Sequence, residues 1–556
     1  MQVNSSTPAS PSSDEPAVRI PVDVRRFPWI RRLAVDYAYD FGAVAPFFSG
    51  NPSDRAAWAD AIARTQAHDR RRAEIAAVIA DQQARRGAPT RARENGRLLA
   101  DRRTVAIVTG QQAGLFGGPL FTLLKAMTAL KLADQVSREH GVPAVAIFWI
   151  DAEDHDWEEV RSFTVFDEAL ATRTVSLPSR PGADPTPVAT VTLDASIAKA
   201  LDDLASALPA TEFHAAILDG LRRAYQPGIG MADAFGRWME QVLGERGLVV
   251  YDSSDAASKP LVSEVFAREL SMPGQTGRLA ALAGSDLTAR GYHAQVHAQD
   301  DSLALFHLDG GRRSIRQQDG RFVVGDEQYA PPALVKQATE RPAGFSPNVL
   351  LRPVVQDTIF PTICYVAGPN ELAYLGQLRG VYAHFGVPMP LMYPRASATL
   401  VDSAGARFLN KYKMPLEALQ AQDEAALNDL LKTQIPRAVE DSFAAAAQAI
   451  EAEMTRVIQA MPALDPTLEG AARSTLSRMQ HDLQTLHNKM ISAAKRRDET
   501  LRRQFMHARA LTFPNGHAQE RTIGFVSFLN QYGPALVERL DAELPLDLGR
   551  HWIVTV

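Results

Sequence analysis

The sequence has almost no cysteine and no marked excess of charge of either sign. Cys364 is the only cysteine among 556 residues, which excludes an internal disulfide framework and a cysteine-rich zinc site. Lysine and arginine number 59 against 64 aspartate and glutamate, and the net charge of −5 argues against a general nucleic-acid-binding protein. No apolar run reaches the roughly 18 residues that a membrane-spanning helix needs. We therefore expect no nucleic-acid partner and no membrane partner.

The first residues also lack the features of an export signal. Residues 1–16 are rich in serine and proline, with neither a cationic start nor an apolar core. Such a composition buries too little apolar surface to fold, so we expect a disordered tail over residues 1–19. These absences together favour a cytoplasmic protein.

The most informative stretch is Thr104–Lys125. An apolar run is followed by a loop with glycines between residues 110 and 118, and then by Pro119, which suits a first helical turn because it has no N–H to leave unpaired. A strand, a glycine loop and a helix N-terminus together offer backbone N–H groups to an anion. The spacing matches neither a Walker motif nor a dinucleotide fingerprint. We expect a phosphate or nucleotide site, with a purely structural turn as the alternative. The candidate contacts are Gly110, Gln111, Gln112, Gly117 and Gly118.

Further apolar runs alternate with helical patterns over the first 400 residues. They are Ala144–Ile150, Gly247–Asp252, Thr362–Ala367 and Pro388–Tyr393. Strand–helix–strand order predicts parallel, buried neighbours in an α/β, Rossmann-like core. We place this core at residues 20–400, with insertions at about 160–250 and 270–345, the second of which contains a small antiparallel sheet. In such a core the loops after the strands converge on one crevice.

The pattern becomes helical after residue 401. Apolar residues step by three and four over 443–461 and again over 476–493, on either side of Pro462–Pro466. This pattern predicts an antiparallel coiled-coil hairpin within a helical domain at 401–510, before residues 511–556 return to the core. Each apolar seam is short and needs a covering surface. We expect a homodimer, and packing on its own domain is the alternative.

An acidic cluster follows the second core strand. Asp151, Glu153, Asp154 and Asp156 surround His155 within six residues. Carboxylates this close repel one another unless they meet a cation. We favour recognition or deprotonation of a substrate amine, with Asp154, His155 and Asp156 as catalytic candidates. A metal ion is one alternative, although a single histidine disfavours zinc, and a solvated loop that caps the next helix is the other. We assign no metal ligand.

Two more loops follow core strands. One provides small, rigid or polar residues that suit a ribose, or alternatively a helix cap: Gly368, Pro369, Asn370 and Glu371. The other offers the guanidinium of Arg395, as a catalytic candidate, and the hydroxyl of Ser397 to a phosphate in a transition state. Less favoured candidates are Arg352 with Gln356, His293 and His297.

Several motifs occur in an order that is specific when they are taken together. They are Gly110–Gly114 with Gly118–Leu120, Phe148–Trp149, Glu153–Asp156, Ala367–Pro369 with Glu371, Pro394–Arg395 and Tyr532–Pro534. From about residue 20 to the C-terminus this pattern resembles the cysteine ligase (BshC) family of bacillithiol biosynthesis, which usually has glycine where this chain has Ala152. The resemblance implies a Rossmann-like core with connecting-peptide insertions, a coiled-coil domain and a homodimer.

The resemblance also implies an activity, the last step of bacillithiol synthesis, which joins the carboxyl group of cysteine to the amine of glucosaminyl malate. The core resembles that of class I aminoacyl-tRNA synthetases and nucleotidyltransferases, which implies ATP with Mg²⁺. By placement, Leu115–Gly118 would hold phosphates, Gly368–Glu371 the ribose, and Pro394–Ser397 would close the site. The chain has neither the histidines of the first signature of that group nor the lysines of the last.

The hypothesis is therefore an ATP-dependent ligase. Arg395 and the helix N-terminus would stabilise the pentavalent phosphorus, while Asp154 and His155 hold an ammonium group or take a proton from the attacking amine. Three alternatives remain open: a nucleotidyl- or aminoacyl-transfer enzyme with another acceptor, a metal-dependent hydrolase, and a coiled-coil scaffold without catalysis.

Overall fold

The computed structural model describes residues 19–180, 186–296, 301–308, 311–433, 437–465, 467–497 and 499–556. The predicted tail before Arg19 and the candidate His297 lie outside the described residues.

Short strands and many helices make up these ranges. The strands are β1 (Arg19–Asp23), β2 (Val105–Gln111), β3 (Ala144–Ile150), β4 (Ser162–Phe166), β5 (Thr172–Ser176), β6 (Val249–Asp252), β7 (Ser302–His307), β8 (Arg313–Gln318), β9 (Arg321–Val324), β10 (Glu327–Tyr329), β11 (Phe345–Pro347), β12 (Thr362–Ala367), β13 (Leu391–Pro394), β14 (Ser397–Val401) and β15 (Arg550–Thr555). The helices are α1 (Arg32–Tyr39), α2 (Phe41–Val44), α3 (Arg55–Ala67), α4 (Arg72–Arg86), α5 (Thr90–Leu98), α6 (Leu120–His140), α7 (Trp157–Val160), α8 (Ser196–Ala207), α9 (His214–Ala224), α10 (Met231–Leu243), α11 (Ser263–Ser271), α12 (Gln275–Ala289), α13 (Pro331–Glu340), α14 (Arg352–Ile359), α15 (Glu371–Leu375), α16 (Arg379–Phe385), α17 (Ser403–Tyr412), α18 (Ala425–Thr433), α19 (Arg437–Ala460), α20 (Leu468–Arg497), α21 (Glu499–Thr512), α22 (Gln519–Thr522), α23 (Phe525–Tyr532) and α24 (Ala535–Glu543).

A five-stranded parallel sheet forms the centre of the first unit, in the order β13-β12-β2-β3-β6. Nearly every residue of β2, β3 and β12 is buried, which explains why these strands are continuous apolar runs. Cys364 is buried within β12. Strand order reverses between β2 and β12, and a ligand crevice is expected at the carboxyl ends there. The predicted α/β, Rossmann-like core is confirmed.

Smaller sheets surround this core. Strands β7 to β11 form an antiparallel sheet in the order β10-β9-β8-β7-β11, as predicted for the second insertion. Strands β4 and β5 pair with each other, and β15 lies between β1 and β14.

The chain divides into two compact units. The first comprises the residues up to Leu400 together with Gln519–Val556, and the second is Val401–Ala518. In the second unit α19 packs against α20, and the contact of Glu440 near the start of α19 with His487 late in α20 shows that the two helices are antiparallel. The predicted helical hairpin is confirmed. Within the described ranges, every helix is too short or too polar to cross a bilayer.

Candidate active site

A cavity of about 580 Å³ lies at the carboxyl ends of the central strands. Strand β2 contributes Gly110 and Gln111, β3 contributes Trp149, and the start of α15 contributes Glu371. This is the edge at which a parallel sheet with a strand-order reversal binds ligands. Five of the predicted site residues line the cavity: Gly110, Gln111, Gln112, Asp154 and Glu371.

Only part of the acidic cluster faces this cavity. Asp154 lines it and accepts hydrogen bonds from the Gln112 side chain and from the His155 backbone N–H. Asp151 also lines it, and burial raises the pKa of Asp151, an effect that Arg352 opposes. Asp151 and Asp154 are therefore the two carboxylates of the cluster that a ligand in the cavity can reach.

The other members of the cluster have separate partners. Glu153 is buried in an ion pair with Lys259. The carboxylate of Asp156 accepts from the N–H of Glu159 at 3.0 Å and so caps α7, as the helix-cap alternative predicts. Nδ1 of His155 lies 3.0 Å from Arg312 and accepts, because a guanidinium group only donates.

Two arginines provide positive charge in the cavity. Arg312 lies on the insertion, where its side chain is 9% exposed, stacks on Phe306 and approaches Asp154 Oδ1 at 3.5 Å. Burial lowers the pKa of Arg312, and the nearby carboxylates oppose this. Arg352 begins α14 and approaches Asp151 at 3.9 Å. Sequence reasoning gave Arg352 little weight and missed Arg312, because the antiparallel sheet that returns Arg312 to the core leaves no local signal.

A buried lysine supports the cavity wall. The amine of Lys125 donates to the Gly110 carbonyl at 2.9 Å and to the Gln111 side-chain oxygen at 3.2 Å, and it lies 2.6 Å from Glu371. Burial lowers the pKa of Lys125, whereas Glu371 opposes the shift. Sequence reasoning missed this residue too, although a lone charge within the apolar stretch Leu120–Leu130 was a usable signal.

The rest of the glycine loop packs against the chain itself. Gly117 and Gly118 have φ angles of +96° and +77°, which few other residues adopt readily. A Cβ on Gly117 would lie 2.5 Å from the Phe525 ring, and the N–H of Leu120 at the helix start donates to the Ile523 carbonyl. Both glycines are explained by a tight structural turn.

The turn after β12 leads into α15, whose first residue lines the cavity. Glu371 points into it and accepts from the N–H of Gly368 at 3.0 Å. Pro369 follows in the turn, and Asn370 occupies the N-cap position of α15 without a capping side-chain bond. Gly368 and its neighbours therefore shape the backbone that presents Glu371.

Arg395 and Ser397 lie outside the cavity lining. Arg395 is buried and makes two hydrogen bonds to Glu520, at 2.7 and 2.8 Å. Burial alone would raise the pKa of Glu520, but Arg395 lowers it to about 2. Ser397 also donates to Glu520 and lies 2.8 Å from His551. Among weaker candidates, His293 is exposed.

Within the described ranges, no group of three or more histidine, cysteine, aspartate or glutamate side chains is arranged to hold a metal ion.

Comparison with known proteins identifies the family. The family profile described as "Bacillithiol biosynthesis BshC, N-terminal Rossmann-like domain" matches residues 20–396, and "Bacillithiol biosynthesis BshC, C-terminal coiled-coil domain" matches residues 398–556. A "Putative cysteine ligase BshC" of Salinibacter ruber is 36% identical over 94% of this chain and 96% of its own length. A relative of the same name from Symbiobacterium thermophilum is 35% identical over 86% of this chain and 88% of its own length. Another, from Chlorobaculum tepidum, is 34% identical over 84% of this chain and 86% of its own length. The chain belongs to the BshC family of bacillithiol biosynthesis.

Proposed function

We propose that this chain is an ATP-dependent ligase that joins the carboxyl group of cysteine to the amine of glucosaminyl malate, as the last step of bacillithiol biosynthesis. Its family and the name of its relatives support a cysteine ligase. The observation that carries the proposal is the mixed charge of the cavity. Four carboxylates line it together with two guanidinium groups: Asp151, Asp154, Glu159 and Glu371 with Arg312 and Arg352.

This mixture of charges suits the proposed substrates. Cysteine carries an ammonium and a carboxylate, and glucosaminyl malate carries an amine and two carboxylates. Guanidinium groups bind carboxylates and phosphates through paired hydrogen bonds. The guanidinium group of Arg312 already donates to three neighbours at 3.0–3.2 Å, so it contributes a fixed positive charge to the cavity wall; they are Ser346 Oγ, His155 Nδ1 and the Pro347 carbonyl. Arg352 lies 3.9 Å from Asp151, a contact long enough to leave donors for a ligand.

Asp154 is the proposed base. An amine attacks only after it has lost its extra proton, and a positioned carboxylate accepts that proton. The amide of Gln112 orients the Asp154 carboxylate at the cavity wall. ATP supplies the activation, because a carboxylate is a poor electrophile until it becomes an acyl-adenylate or an acyl-phosphate.

The cavity lining also suits a nucleotide. Mg²⁺ with ATP commonly takes one or two protein carboxylates, and Asp151 would supply one. Arg312 and Arg352 would contact the phosphates, because the guanidinium group of Arg395 is bound to Glu520. Gly110, with its neighbours Gln111 and Gln112, would lie along the nucleotide.

Ligation by the purified protein tests the proposal. With cysteine, glucosaminyl malate and ATP, mass spectrometry should detect the thiol product, and parallel assays should detect either pyrophosphate or phosphate. Asp154→Asn should lower kcat about 10²- to 10⁴-fold, the usual contribution of a positioned base. Asp203→Asn, at an exposed ion pair on α8, is the matched control and should stay within about twofold of the unsubstituted chain. Absence of product would overturn the proposed activity, and full ligation by Asp154→Asn would overturn the assigned base.

We also propose a homodimer formed through the helical hairpin. Apolar side chains remain exposed on both of its helices, including Val457 (41%) on α19 and Leu486 (55%) on α20. An apolar seam of this kind is stabilised when a second copy covers it. The cytoplasmic location stays a prediction.

A further inference from the structure

Helix α14 carries a chain of buried polar groups behind the cavity. Arg352 is 8% exposed, Gln356 is 1% exposed, and Asp357 is fully buried. Arg352 and Gln356 are four residues apart and therefore lie on the same face of the helix. Polar groups are expensive to bury, so an arrangement in which each finds a partner calls for an explanation.

We infer that Gln356 is a positioning residue that aims the guanidinium group of Arg352 into the cavity, and that Asp357 fixes the orientation of Gln356. Arg352 in turn would bind a carboxylate or phosphate oxygen of a substrate. This role rests on the proposed function of the same cavity.

The hydrogen bonds determine which way the amide of Gln356 points. Its nitrogen donates to Asp357 Oδ1 at 2.9 Å, and its oxygen accepts from Arg352 Nη1 at 3.1 Å. An ionised carboxylate only accepts and a guanidinium group only donates. The reversed amide would therefore place oxygen against oxygen on one side and N–H against N–H on the other.

The orientation does not depend on the protonation of Asp357. Its second oxygen, Oδ2, lies 2.5 Å from the Tyr382 hydroxyl. Burial raises the pKa of Asp357. A proton on Oδ2 would be donated to Tyr382, whose hydroxyl can accept, so Oδ1 remains an acceptor for Gln356 in either state.

The remaining contacts of Arg352 are longer than the one to Gln356. Its guanidinium group lies 3.4 Å from the Tyr374 hydroxyl, 3.9 Å from Asp151 and 5.6 Å from the centre of the Tyr365 ring. Gln356 is therefore its closest side-chain anchor. An arginine that is held before the ligand arrives loses less side-chain freedom on binding, and its planar fork matches two oxygens of one anion.

Two substitutions at one position separate positioning from structural support. Gln356→Met keeps the side-chain length but removes the acceptor for Arg352, so the KM for at least one of the three substrates should rise roughly tenfold, the loss expected for one hydrogen bond to a charged group. In Gln356→Glu, the introduced carboxyl group can accept from Arg352 and, when protonated, donate to Asp357. Its KM values should stay within about threefold of those of the unsubstituted chain, and kcat should change less than KM in both variants.

A purely structural role gives a different result. Both variants would then lose activity in parallel with their melting temperatures, and unchanged KM values in Gln356→Met, or an equal rise in both variants, would overturn the inference. Arg352→Lys keeps the positive charge but loses the planar guanidinium group that can donate two hydrogen bonds to one anion. It provides a second test of the inference if Gln356→Met does not fold. An unchanged set of KM values in Arg352→Lys would also overturn the inference.

Failure of the proposed function is distinguishable from failure of this inference. If the unsubstituted chain shows no ligation, calorimetric titrations with ATP and with glucosaminyl malate replace the KM values. A roughly tenfold weaker affinity of Gln356→Met for one of these two probes, with recovery in Gln356→Glu, would support the positioning role even then. Equal affinities in all three proteins would overturn it.

Discussion

His551 lies between two hydroxyl groups in the interior of the first unit. Ser397 Oγ is 2.8 Å from Nδ1, and Thr399 Oγ1 is 2.8 Å from Nε2. Because Ser397 donates its only hydrogen to Glu520, Nδ1 of His551 must donate to Ser397, and Nε2 then accepts from Thr399. This arrangement suits a neutral ring. Burial lowers the pKa of His551 to about 4, although Glu520 opposes the shift.

We predict that the chain loses stability between pH 6.5 and about 4 because of this histidine. An unfolded histidine titrates near 6.5, so in this interval the unfolded state binds a proton that the folded state does not. Above pH 6.5 the ring is neutral in both states and costs no stability. The loss of stability grows as the pH falls through this interval and reaches about 3 kcal/mol near pH 4. Calorimetric melting of the unsubstituted chain and of His551→Gln from pH 7 to 4.5 measures it.

The melting temperature of His551→Gln should fall less steeply with decreasing pH than that of the unsubstituted chain. Glu520 does not interfere, because its stabilising contribution is lost only as the pH falls from about 4.5 toward 2. His293→Gln, at an exposed histidine, is the control and should keep the slope of the unsubstituted chain. Equal slopes in the two variants would contradict the prediction.

Candidate residues could be predicted from their chemical type and from their position after a core strand. The side chains that they contact could not be predicted in the same way. Asp154 follows a core strand and does line the cavity. Arg395 also follows a core strand, but its charge is taken by Glu520, 125 positions later, and no local pattern indicates that pairing. Arg312 reaches the cavity only because an antiparallel sheet folds back on the core.

Among the elements, the loop between β2 and α6 is held by packing as well as by backbone conformation. Gly117 has a left-handed φ, and its missing side chain leaves room for the rings of Phe525 and Trp238. Gly141 at the other end of α6 also has a left-handed φ, of +66°, but a Cβ there would meet nothing within 4 Å. The two glycines therefore differ mainly in their surroundings.

We expect Gly117→Ala to be more destabilising than Gly141→Ala. The backbone strain is common to both, at about 1 kcal/mol. At Gly117 the clash with Phe525 adds about 1–3 kcal/mol, the usual cost of overpacking. Thermal unfolding of the two variants measures the difference, and equal melting temperatures would show that the loop yields to the added methyl group.

A helix or strand could be predicted from the sequence where its own residues show how it is buried. The central strands are buried on both faces, so each is a continuous apolar run that can be recognised alone. Strands β1 and β15 were not predicted. β1 is short and partly exposed, and it becomes a strand by pairing with residues more than 500 positions away.

At the scale of the whole molecule, the helical hairpin offers a test of assembly. Leu486→Glu places a charge on the exposed apolar seam, so a dimer that buries the seam should dissociate to monomers, because an unpaired charge is costly to bury. Light scattering coupled to size-exclusion chromatography measures the mass. Gln484→Glu, at an exposed polar position on the same helix, should leave the dimer intact. A monomeric unsubstituted chain, or a dimeric Leu486→Glu variant, would rule out this interface.

The order of synthesis follows from the path of the chain through its first unit. Strand β15 pairs with β1, from Arg19 opposite Val554 to Asp23 opposite Arg550, yet it is translated after the whole second unit. At about 5–20 residues per second, a nascent chain waits several seconds or more for this closing strand. During that time the edges of β1 and β14 that β15 will cover are open to wrong partners. The Rossmann-like unit therefore begins before the second unit on the ribosome and is completed after it.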